Sequence, residues 1–289
     1  MVQKHLTAEF MIKAPVNKII PFSNVDGPGN RFAIFFQNCP FQCLFCHNPE
    51  TINPCIQCGR CVETCPNDSL RLENETLVYK KESCIHCDTC IKICPNLSSP
   101  KVEFMGVNDI LKQLETVRPY IRGITVSGGE SMTHAKFLLE LFREVKKLGL
   151  TCFIDSNGYY DFKEYDDLLN ITDGVMLDVK AVNPIFHQKI TNGNNKTVLE
   201  NLNYLLQKNK LYEVRTVIFP KYKEENEETV SMVSNIIKDQ SCYKLLKYRH
   251  FGVREEGIHF YGMHSPAIKE MEKLAQLAIK NGANNVIIV

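Results

Sequence analysis

An α/β fold on a mainly parallel sheet, broken near its start by a cysteine-rich insert, is predicted by three features of the sequence. From Val107 onward amphipathic helical segments alternate with short apolar strands. That is the pattern of right-handed βαβ crossovers in an open doubly wound sheet or in a whole or partial barrel. One further apolar run, residues 31–37, lies upstream and reads as a buried first strand. Between that strand and Val107, eleven of the thirteen cysteines crowd into the stretch from Cys39 to Cys94, so this stretch is an insert into the alternation.

The bulk properties narrow the function classes. The chain has 289 residues, enough for one large α/β domain with a small insert. With 34 Lys and Arg against 33 Asp and Glu, it carries no field that suggests nucleic acid or a membrane. No apolar run approaches a membrane span, and residues 1–15 lack the basic-then-apolar build of a signal peptide, so the expected location is the cytoplasm. Thiols stay reduced there, so thirteen cysteines argue for metal or redox work rather than disulfides. Cys152 and Cys242, outside the crowded stretch, read as buried inert thiols.

Taken in order, residues 1–15 form an N-terminal extension and residues 16–289 the core, which the insert at 47–102 interrupts. Ser23 to Gly29 is a turn-forming loop with two glycines and a proline. The strand at 31–37 follows. Ser98-Ser99-Pro100 is the exit from the insert. Apolar spacing of i, i+3, i+4 then predicts helices at 107–118, 133–148, 196–208, 225–238 and 266–280. Strands are read between them at 123–126, 151–155, 174–179, 212–219, 244–248 and 285–289.

Directly after the first strand stands Asn38-Cys-Pro-Phe-Gln-Cys-Leu-Phe-Cys-His-Asn48, which spaces Cys39, Cys43 and Cys46 as C-x3-C-x2-C. Three thiolates so spaced can wrap a [4Fe–4S] cluster and leave one iron open to a substrate or cofactor. Zinc would need a fourth ligand, and the adjacent His47 is badly placed to share a metal with Cys46. Three structural cysteines are the plain alternative. The pattern, with Phe45 before the third cysteine, resembles the radical S-adenosylmethionine (SAM) superfamily. An internal repeat follows: Cys55-Ile-Gln-Cys-Gly-Arg-Cys-Val-Glu-Thr-Cys65-Pro and Cys84-Ile-His-Cys-Asp-Thr-Cys-Ile-Lys-Ile-Cys94-Pro. Each copy resembles the C-x2-C-x2-C-x3-C-P run of bacterial two-cluster ferredoxins, in which the fourth cysteine crosses to the other cluster. The resemblance assigns Cys55, Cys58, Cys61 and Cys94 to one [4Fe–4S] centre and Cys84, Cys87, Cys90 and Cys65 to another. Two four-cysteine zinc sites are the alternative.

Parallel α/β folds collect functional groups at the C-terminal ends of their strands. Those ends here carry Ser127-Gly-Gly-Glu130, Asp155-Ser-Asn-Gly158, Met176 with Asp178 and Lys180, and Arg215 with Pro220. Each alone is an ordinary turn; together with the cysteine triad they make one polar rim.

On these motifs the chain resembles the glycyl radical enzyme activating enzymes, from Ile19 to the C-terminus, and most of all the YjjW-type activases with a two-cluster insert. The resemblance implies a partial (β/α)6 TIM-like radical SAM barrel with a ferredoxin-like insert of two [4Fe–4S] clusters. It implies that Cys39, Cys43 and Cys46 hold the SAM cluster, giving three clusters per chain. Phe45, Gly128, Gly129, Glu130, Ser156, Asp178, Lys180 and Arg215 are then SAM contacts, Glu130 meeting the amino group and Lys180 the carboxylate. Asp155, Ser156, Met176 and Asp178 fall where the family binds a monovalent cation, Ser156 standing for its usual threonine. An adenine contact near Tyr248 to Gly252 falls to Arg249 or His250. Ser23 to Arg31 and Cys46-His-Asn-Pro49 also match.

The implied reaction is one-electron reductive cleavage of SAM to methionine and a 5′-deoxyadenosyl radical, which takes a hydrogen atom from a glycine of a partner enzyme. No side chain has to act as an acid or base. The implied partners are a glycyl radical enzyme as protein substrate and a flavodoxin or ferredoxin as electron donor, with the activase a monomer working without oxygen. The insert speaks against pyruvate formate-lyase as the partner. Two other classes compete: a radical SAM enzyme acting on a small molecule, and a non-catalytic three-cluster electron carrier.

Overall fold

The computed structural model describes residues 12–289. Residues 1–11 of the N-terminal extension lie outside that range. The elements run β1 (Lys13–Ser23), β2 (Arg31–Phe36), β3 (Leu70–Glu73), β4 (Thr76–Tyr79), α1 (Thr89–Lys92), β5 (Glu103–Gly106), α2 (Val107–Val117) and β6 (Gly123–Gly128). They continue with α3 (Ala135–Lys147), β7 (Thr151–Ser156), α4 (Asp166–Ile171), β8 (Gly174–Asp178), α5 (Pro184–Thr191), α6 (Lys196–Gln207) and β9 (Leu211–Ile218). The chain closes with α7 (Lys223–Ile237), β10 (Cys242–Lys247), α8 (Glu255–Tyr261), α9 (Ile268–Lys280) and β11 (Val286–Ile288).

Nine strands form one sheet in the order β11-β10-β9-β8-β7-β6-β2-β1-β5. From β2 to β11 every pairing is parallel, and only β1 runs antiparallel, to β2 and to β5. The parallel strands follow chain order without reversal, which decides between the two arrangements left open by periodicity. A doubly wound sheet reverses direction at a switch point; steady order with right-handed crossovers winds one way and puts the helices on a single face, as in a barrel. Among the described residues the sheet does not close on itself, β11 and β5 standing at its two edges, so this is a mixed α/β fold with a largely parallel, open barrel-like sheet.

Alternation along each strand separates two environments. On β8, Val175, Leu177 and the following Val179 join the main apolar core, while Met176 and Asp178 face the other side. On that inner side, Arg31 is wholly buried at the start of β2. Its Nη1 donates to Thr151 Oγ1 at 2.6 Å and its Nε to Thr125 Oγ1 at 3.2 Å, and the guanidinium sits 4.7 Å from the Phe153 ring centroid. Burial pushes this guanidinium down to about 10, still charged at neutral pH. Arg31 thus ties the lower ends of β2, β6 and β7 together, leaving the upper ends to form the rim.

β1 was not legible from periodicity. Pro15 and Pro21 break its pattern, and register shifts interrupt its pairing with β2. It begins at Lys13, inside the stretch read from the sequence as an extension. Between β2 and β5 the chain builds a small separate unit. The hairpin β3–β4 turns through Asn74 and Glu75, both at positive φ. Leu70 packs there with Cys61 and Cys90 in a cluster of its own. No helix among the described residues is long and apolar enough to cross a membrane.

Candidate active site at the strand-end rim

The cysteine triad occupies the loop that leaves β2. Asn38, at φ +81, turns the chain out of the strand. Asn38 N donates to Thr51 O and Cys39 N to Ile52 O, each at 2.9 Å, so the loop is pinned to the entry of the insert. All three thiols are free. Cys43 is buried, and burial pushes its thiol up to about 12, with Lys180 pulling the other way. Burial raises Cys39 and Cys46 as well. Phe45 is also buried, edge-on to Phe219 at 4.9 Å, and Lys180 Nζ lies 5.3 Å from its ring centroid.

The paired glycines are needed where β6 ends beside that loop. Gly129 N donates to Phe36 O at 2.9 Å and Glu130 N to Asn38 O at 2.7 Å. A Cβ on Gly128, which sits at φ +119, would fall 2.2 Å from Phe36 N, and one on Gly129 would fall 2.3 Å from Asn38 O. Glycine is required at both positions for backbone-to-backbone packing.

Glu130 is 2% exposed and accepts from three donors: Met132 N at 3.0 Å, Ser156 Oγ at 2.9 Å and Asn157 N at 2.7 Å. Burial raises its carboxyl to about 7 despite those bonds. It therefore joins the ends of β6 and β7. Asn157 belongs to this site although the sequence reading gave it no role. Its Nδ2 lies 3.4 Å from Cys39 Sγ, connecting the β7 end to the triad. The Asp155-Ser-Asn-Gly turn was the available signal. Ser127 was read on the rim but given no role; its Oγ donates to Asp155 Oδ2 at 2.8 Å.

Register places the remaining groups. Asp155 pairs across β7–β8 with Met176, and Asp178 across β8–β9 with Arg215. Arg215 bridges both acids, its Nη2 on Asp155 Oδ1 and its Nε on Asp178 Oδ1 at 2.8 Å. Lys180 Nζ holds Asp178 Oδ2 at 3.1 Å. Burial lowers Lys180, but Asp178 and the neighbouring thiols outweigh it and leave the ammonium raised. Of the candidate cation ligands, Asp155 lies beside Met176 and is joined to Asp178 through Arg215, while the Ser156 hydroxyl is turned to Glu130. His250 is half-buried and tilted against Phe251, while Arg249 is exposed and its carbonyl lies 3.0 Å from His47 Nε2.

In the insert, two small enclosed spaces separate the remaining cysteines. One is lined by Cys65, Cys84, Cys87 and Cys90; the other by Cys55, Cys58, Cys61 and Cys94, with Cys90 also reaching it. Among the described residues no three His, Cys, Asp or Glu side chains close tightly enough for a single metal ion. The fit to iron–sulfur clusters rests on the donor set, which is free thiols in the triad and in these two cavities.

An open sheet of sequential parallel strands with a three-cysteine loop at its rim defines a class of protein, and comparison with known families gives the same class. The radical SAM superfamily matches residues 33–233, and the chain belongs to it. The chain is 30% identical to a glycyl-radical enzyme activating enzyme of Haemophilus influenzae, over 98% of this chain and 100% of that one. It is 29% identical to the pyruvate formate-lyase-activating enzyme of Streptococcus mutans, covering 85% and 82% of the two chains. Among solved structures, QueE from Escherichia coli shares the fold at a TM-score of 0.57 and 14% identity, covering 100% and 99%. Within the superfamily, this chain is a glycyl-radical enzyme activating enzyme.

Proposed function

We propose that the rim binds SAM against a [4Fe–4S] cluster on Cys39, Cys43 and Cys46, and that the insert carries two more clusters of the YjjW-type arrangement. When bound, the reduced cluster and SAM supply a 5′-deoxyadenosyl radical, which takes a hydrogen atom from the α-carbon of a glycine in the partner enzyme. The chain's own residues bind, orient and exclude water. The observation that carries this reading is the contact between the triad loop and the ends of β6 and β7, made by Gly128, Gly129, Glu130 and Asn157.

In this reading Glu130, Lys180 and Arg215 meet the charged end of SAM, Gly128, Gly129, Ser156, Asp178 and Phe45 shape its pocket, and His250 or Arg249 lies toward the adenine. A monovalent cation between Asp155 and Asp178 requires Arg215 to release those carboxylates, and the SAM carboxylate is its natural alternative partner. Because Glu130 is tied to three protein donors, its carboxylate also keeps the pocket in shape. Glu130→Gln removes the charge facing the ammonium and turns one acceptor into a donor. SAM binding should weaken by about 1–2 kcal/mol, about tenfold. Equilibrium binding of SAM to the anaerobic protein measures this. Unchanged affinity in both Glu130→Gln and Asp178→Asn would remove the strand-end assignment.

One cavity lined by Cys65, Cys84, Cys87 and Cys90, and a second lined by Cys55, Cys58, Cys61 and Cys94 that Cys90 also reaches, support the crossed ligand sets Cys55, Cys58, Cys61, Cys94 and Cys84, Cys87, Cys90, Cys65. Three clusters require about twelve irons per chain after anaerobic reconstitution. Zinc in the insert would leave about four irons and two zincs. Cys58 is exposed, and Cys58→Ala should lose one insert cluster yet still cleave SAM with dithionite, while slowing with a flavodoxin or ferredoxin donor. Normal rates with the protein donor would make the insert a docking or structural module. Such chemistry belongs in the reducing cytoplasm. Which glycyl radical enzyme is the partner is not set by similarity, since relatives of comparable identity are activases of pyruvate formate-lyase, of (2S)-3-sulfopropanediol dehydratase and of choline trimethylamine-lyase.

A further inference from the structure

The triad loop is gripped from two sides. On one side its N–H groups are met by the end of α5: Gln42 N donates to Thr191 O at 2.8 Å and Leu44 N to Ile190 O at 2.9 Å. On the other side its carbonyls are met by a single downstream segment, residues 249–257. Arg254 Nη2 donates to Gln42 O at 3.2 Å and to Cys43 O at 3.3 Å. Gly257 backs onto Leu44 O so closely that a Cβ would lie 1.8 Å from it. Gly252, at φ +80, would place a Cβ 2.7 Å from His47 O.

Arg254 differs from the other cation beside the triad. Lys180 is held by Asp178 at 3.1 Å, both largely buried, so its charge is compensated. Arg254 is 18% exposed, while its paired carboxylate, Glu256, stands 3.6 Å away and is 69% exposed. An ion pair with so exposed a partner neutralises little. The Arg254 Nε is buried and has no hydrogen-bond partner among the described residues. An unmet buried donor costs stability, so packing alone does not account for this placement. The result is a poorly compensated positive charge bonded to the carbonyl of a ligand-bearing residue.

We propose that Arg254 is a positioning residue for the cluster on Cys39, Cys43 and Cys46, setting its reduction potential by bringing a positive charge against the Gln42 and Cys43 carbonyls. Reduction adds one electron from a low-potential donor and makes the cluster and its thiolates more negative. A nearby positive charge favours that state, and local charge and hydrogen bonding are what tune such potentials. The inference rests on the cluster assignment proposed above. Cys43→Ala tests that assignment separately, because it must erase the paramagnetic signal that changes when SAM is added.

The experiment is a redox titration of the anaerobically reconstituted full chain, following that SAM-responsive signal by electron paramagnetic resonance, in wild type, Arg254→Gln and Arg254→Lys. Iron content is measured alongside. Arg254→Gln should keep its iron and shift the midpoint to a more negative potential, while Arg254→Lys stays close to wild type. If Arg254→Gln loses the SAM-responsive cluster, the proposal is overturned, since Arg254 would then hold the cluster in place rather than set its potential. An unchanged midpoint in an iron-loaded Arg254→Gln protein overturns the proposal. So does an equal shift, or an equal loss of the cluster, in both variants, since the guanidinium's hydrogen bonds rather than its charge would then matter.

Discussion

Replacing Cys43 by alanine is expected to abolish SAM cleavage under every reductant. Cys43 is the most enclosed thiol of the triad, and burial pushes its thiol up to about 12. Two remaining thiolates cannot hold a cluster that three hold with an open iron. The insert cysteines cannot substitute, since they line separate cavities. Release of 5′-deoxyadenosine, followed by chromatography with dithionite and with a protein donor, reads the effect. Iron should fall by about one cluster's content, about four atoms. Cleavage that survives with dithionite would place the reactive cluster elsewhere in the chain.

The second large effect is expected from one added methyl group. Gly129→Ala puts a Cβ 2.3 Å from Asn38 O and 2.7 Å from Thr51 O. Both neighbours are backbone, so no side chain can swing aside. The end of β6 and the triad loop must separate, and the 2.7 Å bond from Glu130 N to Asn38 O goes with them. Overpacking of this kind costs about 1–3 kcal/mol of stability. Misplacing a reactive geometry by about 1 Å costs on the order of a hundredfold in rate. SAM cleavage by folded Gly129→Ala protein should therefore drop by about that factor, with circular dichroism confirming the fold. A rate within twofold of wild type would mean that the Gly-Gly pair does not set the loop.

The core of this site could be read from residues alone because its signals are local. The C-x3-C-x2-C spacing, the Gly-Gly-Glu run and the Asp178-Val-Lys180 run each sit directly after an apolar strand, and parallel topology brings strand ends together. The parallel strands β2 and β6 to β11 and the long helices followed from periodicity in the same way. What stayed hidden depends on distant pairing. β1 carries two prolines and is a strand because β2 and β5 flank it, which no window of its own sequence records. α5 had a readable start, Asn183 before Pro184, with Asn183 Oδ1 accepting from Ile185 N and Phe186 N. It is only eight residues long, too short for a clear apolar period. Its role at the triad loop shows only in three dimensions.

Glu130 and Arg215 show the limit more sharply. Sequence position marks both as polar groups on the rim, but not their partners. Glu130 is enclosed by Met132, Ser156 and Asn157, and Arg215 lies between Asp155 and Asp178. Each therefore stabilises the arrangement of strand ends. Gly252 and Gly257 were equally silent. Their need for glycine comes from the carbonyls of His47 and Leu44, about two hundred residues earlier in the chain.

The most direct test of activation is the appearance of a glycyl radical in a second protein. As partner we would take a reading frame adjoining this gene that ends in an Arg-Val-x-Gly-Tyr-like loop. The reduced, cluster-loaded protein is mixed with that enzyme and SAM under strict anaerobiosis, and electron paramagnetic resonance is recorded. The account predicts a glycine-centred radical on the partner, formed with 5′-deoxyadenosine, and lost when the loop glycine is replaced by alanine. Cleavage of SAM with no protein radical, together with turnover of a small molecule, would contradict it.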